Sequence, residues 1–100
     1  MTVDRQALSA LLGRPLDLEA EILSEKASAL GRAGQKVERA LAALREAAPD
    51  AEERPALLRA AAHAVHHYFI QREICGFRRH GDIIREYAIP PEVLARLGAQ

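Results

Sequence analysis

The spacing of apolar residues is the feature that most constrains the fold. From Leu16 to Ala48, apolar and small residues recur at alternating intervals of four and three. This heptad spacing places them on one face of a single helix, a face that we call the seam. The seam consists of Leu16, Ala20, Leu23, Ala27, Leu30, Gly34, Val37, Leu41, Leu44 and Ala48. Because many of these residues are small, the seam predicts a long helix whose backbone lies close to a partner helix.

The first helix is predicted to run from Asp17 to about Ala48. Asp17 is a favourable N-cap residue, and Pro49 stops the helix. Gly31 and Gly34 lie in the middle of this segment, and each costs about 1 kcal/mol relative to alanine in a helix interior. We interpret both glycines as sites of close packing, and a kink or break between them is the alternative.

A second helix is predicted from Pro55 to Cys75, after a short loop. Gly76 would supply a left-handed cap, and Phe77 would fold back onto the helix end. Because a short loop makes consecutive helices antiparallel neighbours, we expect a helical hairpin.

The apolar face of the second helix supports this hairpin. It contains Leu58, Ala61, Ala62, Val65, Tyr68 and Phe69. Antiparallel pairing places Val65 near Val37, and it places Tyr68 and Phe69 near Gly34. A ring opposite a glycine is the size complementarity that close packing requires. This pairing leaves the part of the seam from about Ala20 to Leu30 for a partner.

Shorter segments flank the hairpin. Residues 1–15 are predicted to form a frayed turn or a short helix. Asp82 is predicted to cap a short helix over residues 83–87, and a last helix over residues 91–97 would be closed by Gly98. The expected fold is therefore one all-α domain over the whole chain, a long antiparallel hairpin with short C-terminal helices.

Composition disfavours several functional classes. Apolar residues make up 49% of the chain but aromatic residues only 4%, so few large side chains can enclose a small-molecule pocket. We therefore expect no enzyme and no small-molecule substrate. Fourteen basic and fourteen acidic residues cancel, which leaves no net field to attract nucleic acid or an anionic membrane.

The single cysteine, Cys75, bears on compartment and chemistry. It has no internal disulfide partner, which favours a reducing compartment. The N-terminal residues lack the apolar run of a signal peptide, and no stretch approaches the roughly 18 apolar residues of a membrane span. We expect a cytoplasmic protein. The C-terminal end of a helix disfavours a thiolate, so core packing is preferred to catalysis for Cys75.

Histidines form the first candidate site. His63 and His67 are four residues apart, with His66 between them, and they share one helix face on which they could chelate a divalent metal. A third ligand would have to come from His80 or Glu73 through the tertiary fold. The alternative is a polar face that happens to use histidine. We expect no metal and no other cofactor, with His63 and His67 as the candidate pair if a metal binds.

The same face carries a second apolar signal. His63, His67, Ile70 and Ile74 follow a four–three–four spacing opposite the hairpin face, and we call them the Ile–His stripe. The stripe predicts a second contact surface. We prefer that the C-terminal helices cover it, and another copy of the chain is the alternative.

Arg72 is the next candidate, because its angular position falls within the apolar face of the second helix. A buried arginine needs carboxylate or carbonyl partners. The expected partners lie near the start of the first helix and are Ser24, Glu25 and Ser28. The alternative role for Arg72 is to bind an anion with the help of Arg78 and Arg79.

The two short C-terminal helices invite comparison with a helix-turn-helix. However, Arg96 is the sole basic residue of the last helix, whereas a recognition helix normally carries several polar or basic groups. Nucleic-acid binding through these helices, with Arg78 and Arg79, is therefore an alternative and not the preferred function.

Three runs resemble a known family of short, uncharacterised bacterial proteins found mainly in proteobacteria. The runs are EKASALGRAG at residues 25–34, QREICGFR at residues 71–78 and YAIPPEVL at residues 87–94. The resemblance covers most of the chain from Asp17 onward. It implies no activity, cofactor or active site, and no functional residue is carried over from it.

The sequence thus predicts a non-enzymatic protein–protein interaction module that self-associates or binds another protein. A divalent-metal-binding protein and a small nucleic-acid-associated regulator are the alternatives. The residues expected to form interfaces or structural contacts are Leu23, Ala27, Leu30, Gly34, Phe69, Ile70, Arg72 and Ile74.

Overall fold

A computed structural model describes residues 15–97, with side chains from residue 18 onward. Its elements are α1 (Pro15–Glu46), α2 (Arg54–Ile74), α3 (Gly81–Glu86) and α4 (Pro91–Leu94). Over this range the chain contains no strand, so the all-α hairpin with short C-terminal helices is confirmed. The predicted segment before Pro15 and the predicted closure at Gly98 lie outside the described residues. None of the described helices combines the length and apolar character needed to cross a bilayer.

Helix α1 runs for 32 residues without interruption, which corresponds to roughly 48 Å. It continues through Gly31 and Gly34, so a break at the glycines is excluded. The predicted cap at Asp17 is wrong, because Asp17 lies inside the helix and Pro15 occupies the first turn, where a missing N–H costs nothing. The helix also ends at Glu46, two residues before the predicted Ala48, since the residue that precedes a proline avoids helical geometry.

Helix α2 matches its predicted bounds to within one residue at each end. Gly76 adopts a left-handed conformation with φ of 99°. The Gly76 N–H donates to the Glu73 carbonyl at 3.0 Å, and the Phe77 N–H donates to the Arg72 carbonyl at 2.9 Å. This pair of bonds is a Schellman motif, so the predicted left-handed cap is confirmed.

The core lies where α1 and α2 run antiparallel. Its buried members are Ala33, Val37, Leu41, Leu44, Leu58, Ala61, Ala62, Ala64, Val65 and Tyr68. A Cβ built on Gly34 would lie 3.5 Å from the Tyr68 ring, so the predicted close approach is confirmed for that ring. Phe69 instead stacks on His80, with ring centroids 4.2 Å apart. The second ring over Gly34 is Tyr87, whose hydroxyl would lie 3.3 Å from the same Cβ.

The C-terminal helices fold back onto this core. His80 is the N-cap of α3, so the predicted cap at Asp82 is wrong and Asp82 lies in the first turn. Helix α4 is four residues long, shorter than predicted, and it packs against α2. The buried residues of this region are Ile83, Ile89 and Val93.

Two arginines hold the C-terminal segment in place. Arg45 of α1 donates through Nη2 to the carbonyls of Tyr87 and Ala88, at 2.7 and 3.0 Å. Arg54, at the start of α2, forms a two-bond ion pair with the Glu92 carboxylate of α4. The hydrogen bond from Arg54 lowers the pKa of Glu92 below its ordinary value. These ties hold the turn after α3 against α1 and fix α4 beside the N-terminal end of α2.

Candidate functional site

The N-terminal part of α1 extends past the end of α2. Gly34 lies level with Tyr68, and the Lys26 carbonyl lies 4.0 Å from the Sγ atom of Cys75, the residue that caps α2. Antiparallel helices rise equally per residue, so the part of α1 before Lys26 has no stretch of α2 beside it. All residues from 18 to 28 are exposed. We call residues 18–28 the overhang.

The seam is buried along one part of α1 and bare along the other. Leu30 packs against the core, and Gly34 is buried beneath Tyr68. Leu23, in contrast, is 67% exposed, and Ala27 is exposed beside it. Leu30 and Gly34 are therefore packed within the chain. The predicted contacts of Leu23 and Ala27 are not made within the described chain.

Further apolar side chains extend the bare surface of the overhang. Leu18 and Ile22 are 55% and 47% exposed, and with Leu23 they are three of the six large apolar residues exposed in the described chain. A short helix that packs against nothing is marginally stable in water, because most helical stability in proteins comes from packing of the apolar face. A partner helix packed against the apolar residues of the overhang would therefore stabilise this part of α1.

The Ile–His stripe is also uncovered. Ile70 and Ile74 are 39% and 53% exposed, and His63 and His67 are exposed. The preferred interpretation that the C-terminal helices cover this stripe is wrong. Those helices pack against the hairpin core, where Arg45 and the Arg54 ion pair fix them, and so they leave the opposite face of α2 open.

Arg72 is buried, with 6% of its surface exposed, as its position in the apolar face predicted. Its Nε atom donates to Nδ1 of His80 at 3.1 Å, and its Nη2 atom donates to the Arg79 carbonyl at 3.1 Å. Nη2 also lies 3.5 Å from the Asp82 carboxylate. The prediction of partners on the first helix is wrong, because the Schellman turn brings the following residues, 79–82, back over Arg72.

His80 and Phe77 complete the surroundings of this arginine. Because Nδ1 of His80 accepts from Arg72, the ring proton of neutral His80 is on Nε2, which lies 3.4 Å from the Glu73 carboxylate. The Arg72 guanidinium also lies over the Phe77 ring, 4.7 Å from its centroid. The Phe77 contact predicted to close α2 is therefore a cation–π contact with the last turn of the helix.

A family model described as a family of unknown function (DUF6665) matches residues 13–100. The chain belongs to the DUF6665 family. No curated protein and no solved structure matches it. The match spans α1 to α4, so the overhang and the surroundings of Arg72 lie within the family region.

The other candidate residues of this DUF6665 chain lie on α2, at its C-terminal end and on α3 and α4. Within residues 15–97, no three or more histidine, cysteine or acidic side chains cluster so that they could hold a metal ion. Cys75 is a free, half-buried thiol at the end of α2. Helices α3 and α4 have six and four residues, and binding of nucleic acid through them stays a prediction.

Sequence reasoning missed three residues that organise this DUF6665 chain. Tyr87 covers Gly34, and Arg45 binds the carbonyls beside it. Ala88 adopts a positive φ of 50°, unusual for a residue with a side chain, and one of those carbonyls is its own. No local sequence pattern predicts these contacts, because each contact joins segments more than 40 residues apart.

Proposed function

We propose that this chain is a protein–protein interaction module whose overhang pairs antiparallel with the overhang of a second copy. The observation that carries the proposal is the seam, which continues at heptad spacing through the overhang while its residues there are exposed, Leu23 to 67%. A symmetric dimer places the same surface of both copies in contact, so one bare seam supplies both halves of the interface.

The end of α2 restricts how two overhangs can align. In an antiparallel pair, residues that face each other have numbers with a constant sum. The α1 helix of the partner subunit begins at Pro15, and it has to stop short of the C-terminal end of α2, which lies near Ala27. The first residue of the partner helix then faces a residue close to Ala27, and the two residue numbers add up to about 43. This alignment sets Leu23 against Ala20 of the partner subunit, so that a large residue meets a small one.

Charges beside the seam favour the same alignment. Glu19 and Lys26 are seven residues apart, so they lie on the same flank of α1. In the antiparallel pair, Glu19 of each copy approaches Lys26 of the partner subunit, and two interhelical ion pairs form. Each exposed pair contributes modestly to stability, typically less than about 1 kcal/mol, but like charges at these positions would oppose the alignment.

The first test of this proposal is self-association of the purified chain. The paired segment is short compared with standard protein interfaces, so we expect a monomer–dimer equilibrium at roughly micromolar concentrations. Sedimentation equilibrium from about 5 to about 500 µM measures it. The Leu23→Lys variant should be monomeric throughout this range, and Ile74→Lys, which alters the Ile–His stripe, is the matched control.

Charge reversal tests the alignment itself. Glu19→Lys and Lys26→Glu should each weaken dimerisation, because each places like charges opposite one another. The double variant Glu19→Lys/Lys26→Glu should restore dimerisation, since both ion pairs return with reversed sign. A chain that stays monomeric at every concentration contradicts the proposal, as does an Ile74→Lys variant that disrupts the dimer as strongly as Leu23→Lys.

The proposed role is non-enzymatic and cytoplasmic, in a bacterial cell. The single free thiol supports a reducing compartment. The chain has 12 arginines against two lysines, and 20 alanines, a bias typical of GC-rich bacterial genomes.

A further inference from the structure

A cleft of about 690 Å³ opens where the turn after α2 meets α3. Arginines dominate its walls, in a chain whose net charge is zero. Among the described residues, four arginines line it, Arg72, Arg78, Arg79 and Arg85, and one carboxylate faces them, that of Asp82. Charged groups of one sign that line a cleft concentrate the field there and attract ions of the opposite sign.

Arg72 forms the rigid base of this cleft. Hydrogen bonds to His80 and to the Arg79 carbonyl hold its guanidinium in place, and the Phe77 ring packs against it. A guanidinium that is already ordered loses little conformational freedom when an anion binds, so more of the interaction energy remains as affinity. These hydrogen bonds do not use the Nη1 group of Arg72, which is left to donate to a phosphate oxygen.

Asp82 shows that Arg72 already attracts an anionic group. Its carboxylate lies 3.5 Å from Nη2 of Arg72 and is 67% exposed, so the contact is long and open to water. One carboxylate supplies a single negative charge beside four arginines. The cleft therefore retains excess positive charge and space for a second anion.

We propose that this cleft binds a phosphate group, either free phosphate or the phosphate of a small phosphorylated molecule. Arg72 provides the fixed guanidinium, and the exposed side chains of Arg79 and Arg85 close over the phosphate oxygens. Charge-assisted hydrogen bonds between guanidinium and phosphate are among the strong ones in proteins. None of the residues that line the cleft belongs to the overhang.

Titration of the 100-residue chain with inorganic phosphate at constant ionic strength tests the proposal. Nuclear magnetic resonance would follow the backbone amides of residues 76–82 and the arginine Nε–H groups. We expect saturable shifts confined to these groups, with half-saturation at or below a few millimolar, roughly the weak end of specific binding. Flat titrations up to about 20 mM would overturn the proposal.

Variants distinguish a specific phosphate site from general attraction of phosphate to positive charge. Arg79→Gln and Arg85→Gln alter exposed residues of the cleft, and each should weaken binding about tenfold. Arg59→Gln, which alters an exposed arginine on α2 outside the cleft, is the matched control and should leave binding unchanged. Asp82→Asn should tighten binding, because it removes the competing carboxylate. An equal loss in Arg59→Gln, or weaker binding in Asp82→Asn, contradicts the proposal.

The source of the phosphate is distinguished by parallel titrations. Tighter binding of a nucleoside monophosphate than of inorganic phosphate would assign the cleft to phosphorylated small molecules, and equal or weaker binding would assign it to free phosphate. A short DNA duplex tests whether the arginines act only as a diffuse basic surface. Binding of duplex alone, weakened equally by Arg59→Gln and Arg79→Gln, would overturn the proposal in favour of a diffuse basic surface.

Discussion

The two parts of α1 carry the same pattern in different surroundings. Between Ala33 and Leu44, the core-facing residues are buried against α2, and two tyrosines cover Gly34. In the overhang, the spacing is unchanged but Leu18, Ile22 and Leu23 are exposed to water. A heptad pattern therefore specifies a face that can pack. The lengths of the neighbouring helices, 32 and 21 residues, decide how much of that face is packed within the chain.

Truncation of one leucine in each part should show the largest contrast. Leu41→Ala removes a side chain that is 1% exposed and leaves a cavity, so we expect a loss of about 3 kcal/mol in the free energy of unfolding. Leu23→Ala should cost less than about 0.5 kcal/mol in dilute solution, because its side chain is bare. Urea denaturation well below the dimerisation range measures both. Similar losses of unfolding free energy in the two variants would contradict the difference in packing between the two parts of α1.

The two glycines of α1 provide a smaller contrast. No side chain in the described part of the chain lies within 4 Å of a Cβ added at Gly31, so Gly31→Ala should stabilise the protein by about 1 kcal/mol through helix propensity. At Gly34 the added Cβ would lie 3.3 Å from the Tyr87 hydroxyl, and this crowding offsets the gain. Thermal unfolding of the two variants compares them directly. A Gly34→Ala variant as stable as Gly31→Ala would mean that the packing over Gly34 is loose.

The pH dependence of Tyr87 should give the smallest effect, because the side chain is only half-buried and water screens it. Burial, and then the hydrogen bond with Tyr68, raises the pKa of Tyr87 from 10.0 to about 12. The unfolded chain therefore loses this proton first. The stabilisation is fully present below pH 10 and falls as the pH rises towards about 12.

Carbon chemical shifts of the tyrosine rings, followed against pH, measure this pKa. The Tyr68→Phe variant removes the hydrogen-bond partner and should lower the pKa of Tyr87 while leaving the ring over Gly34. An ordinary pKa for Tyr87 in the wild-type chain would show that water reaches its hydroxyl freely and that the tyrosine rings cover the packed part of α1 only loosely.

Periodic and local signals were sufficient to predict the hairpin. The heptad spacing located the seam, and the small size of Gly34 predicted a ring above it. Gly76 predicted the Schellman turn, because its left-handed conformation is a local requirement. The overhang was also predicted from sequence, since the predicted helices already differed in length and left about Ala20 to Leu30 without a partner within the chain. Its end was placed too far along, because Leu30 packs against the core.

Contacts that depend on the path of the chain after α2 could not be predicted. Arg72 was correctly expected to be buried, but its partners are a backbone carbonyl and His80, and no residue pattern marks a carbonyl as an acceptor. The positive φ of Ala88 and its bond to Arg45 depend on a distant helix. The same holds for the uncovered Ile–His stripe, because only the tertiary fold decides on which side of α2 the last helices pack.

The placement of the tyrosines has a practical consequence. The chain has two tyrosines and no tryptophan, and the Tyr68 and Tyr87 rings meet edge to face, with centroids 6.0 Å apart, over Gly34. Its intrinsic fluorescence therefore originates at one point in the middle of the hairpin. Emission should report whether the two long helices are docked, and it should be insensitive to events at the overhang. Association of two copies would consequently need a probe placed elsewhere on the chain.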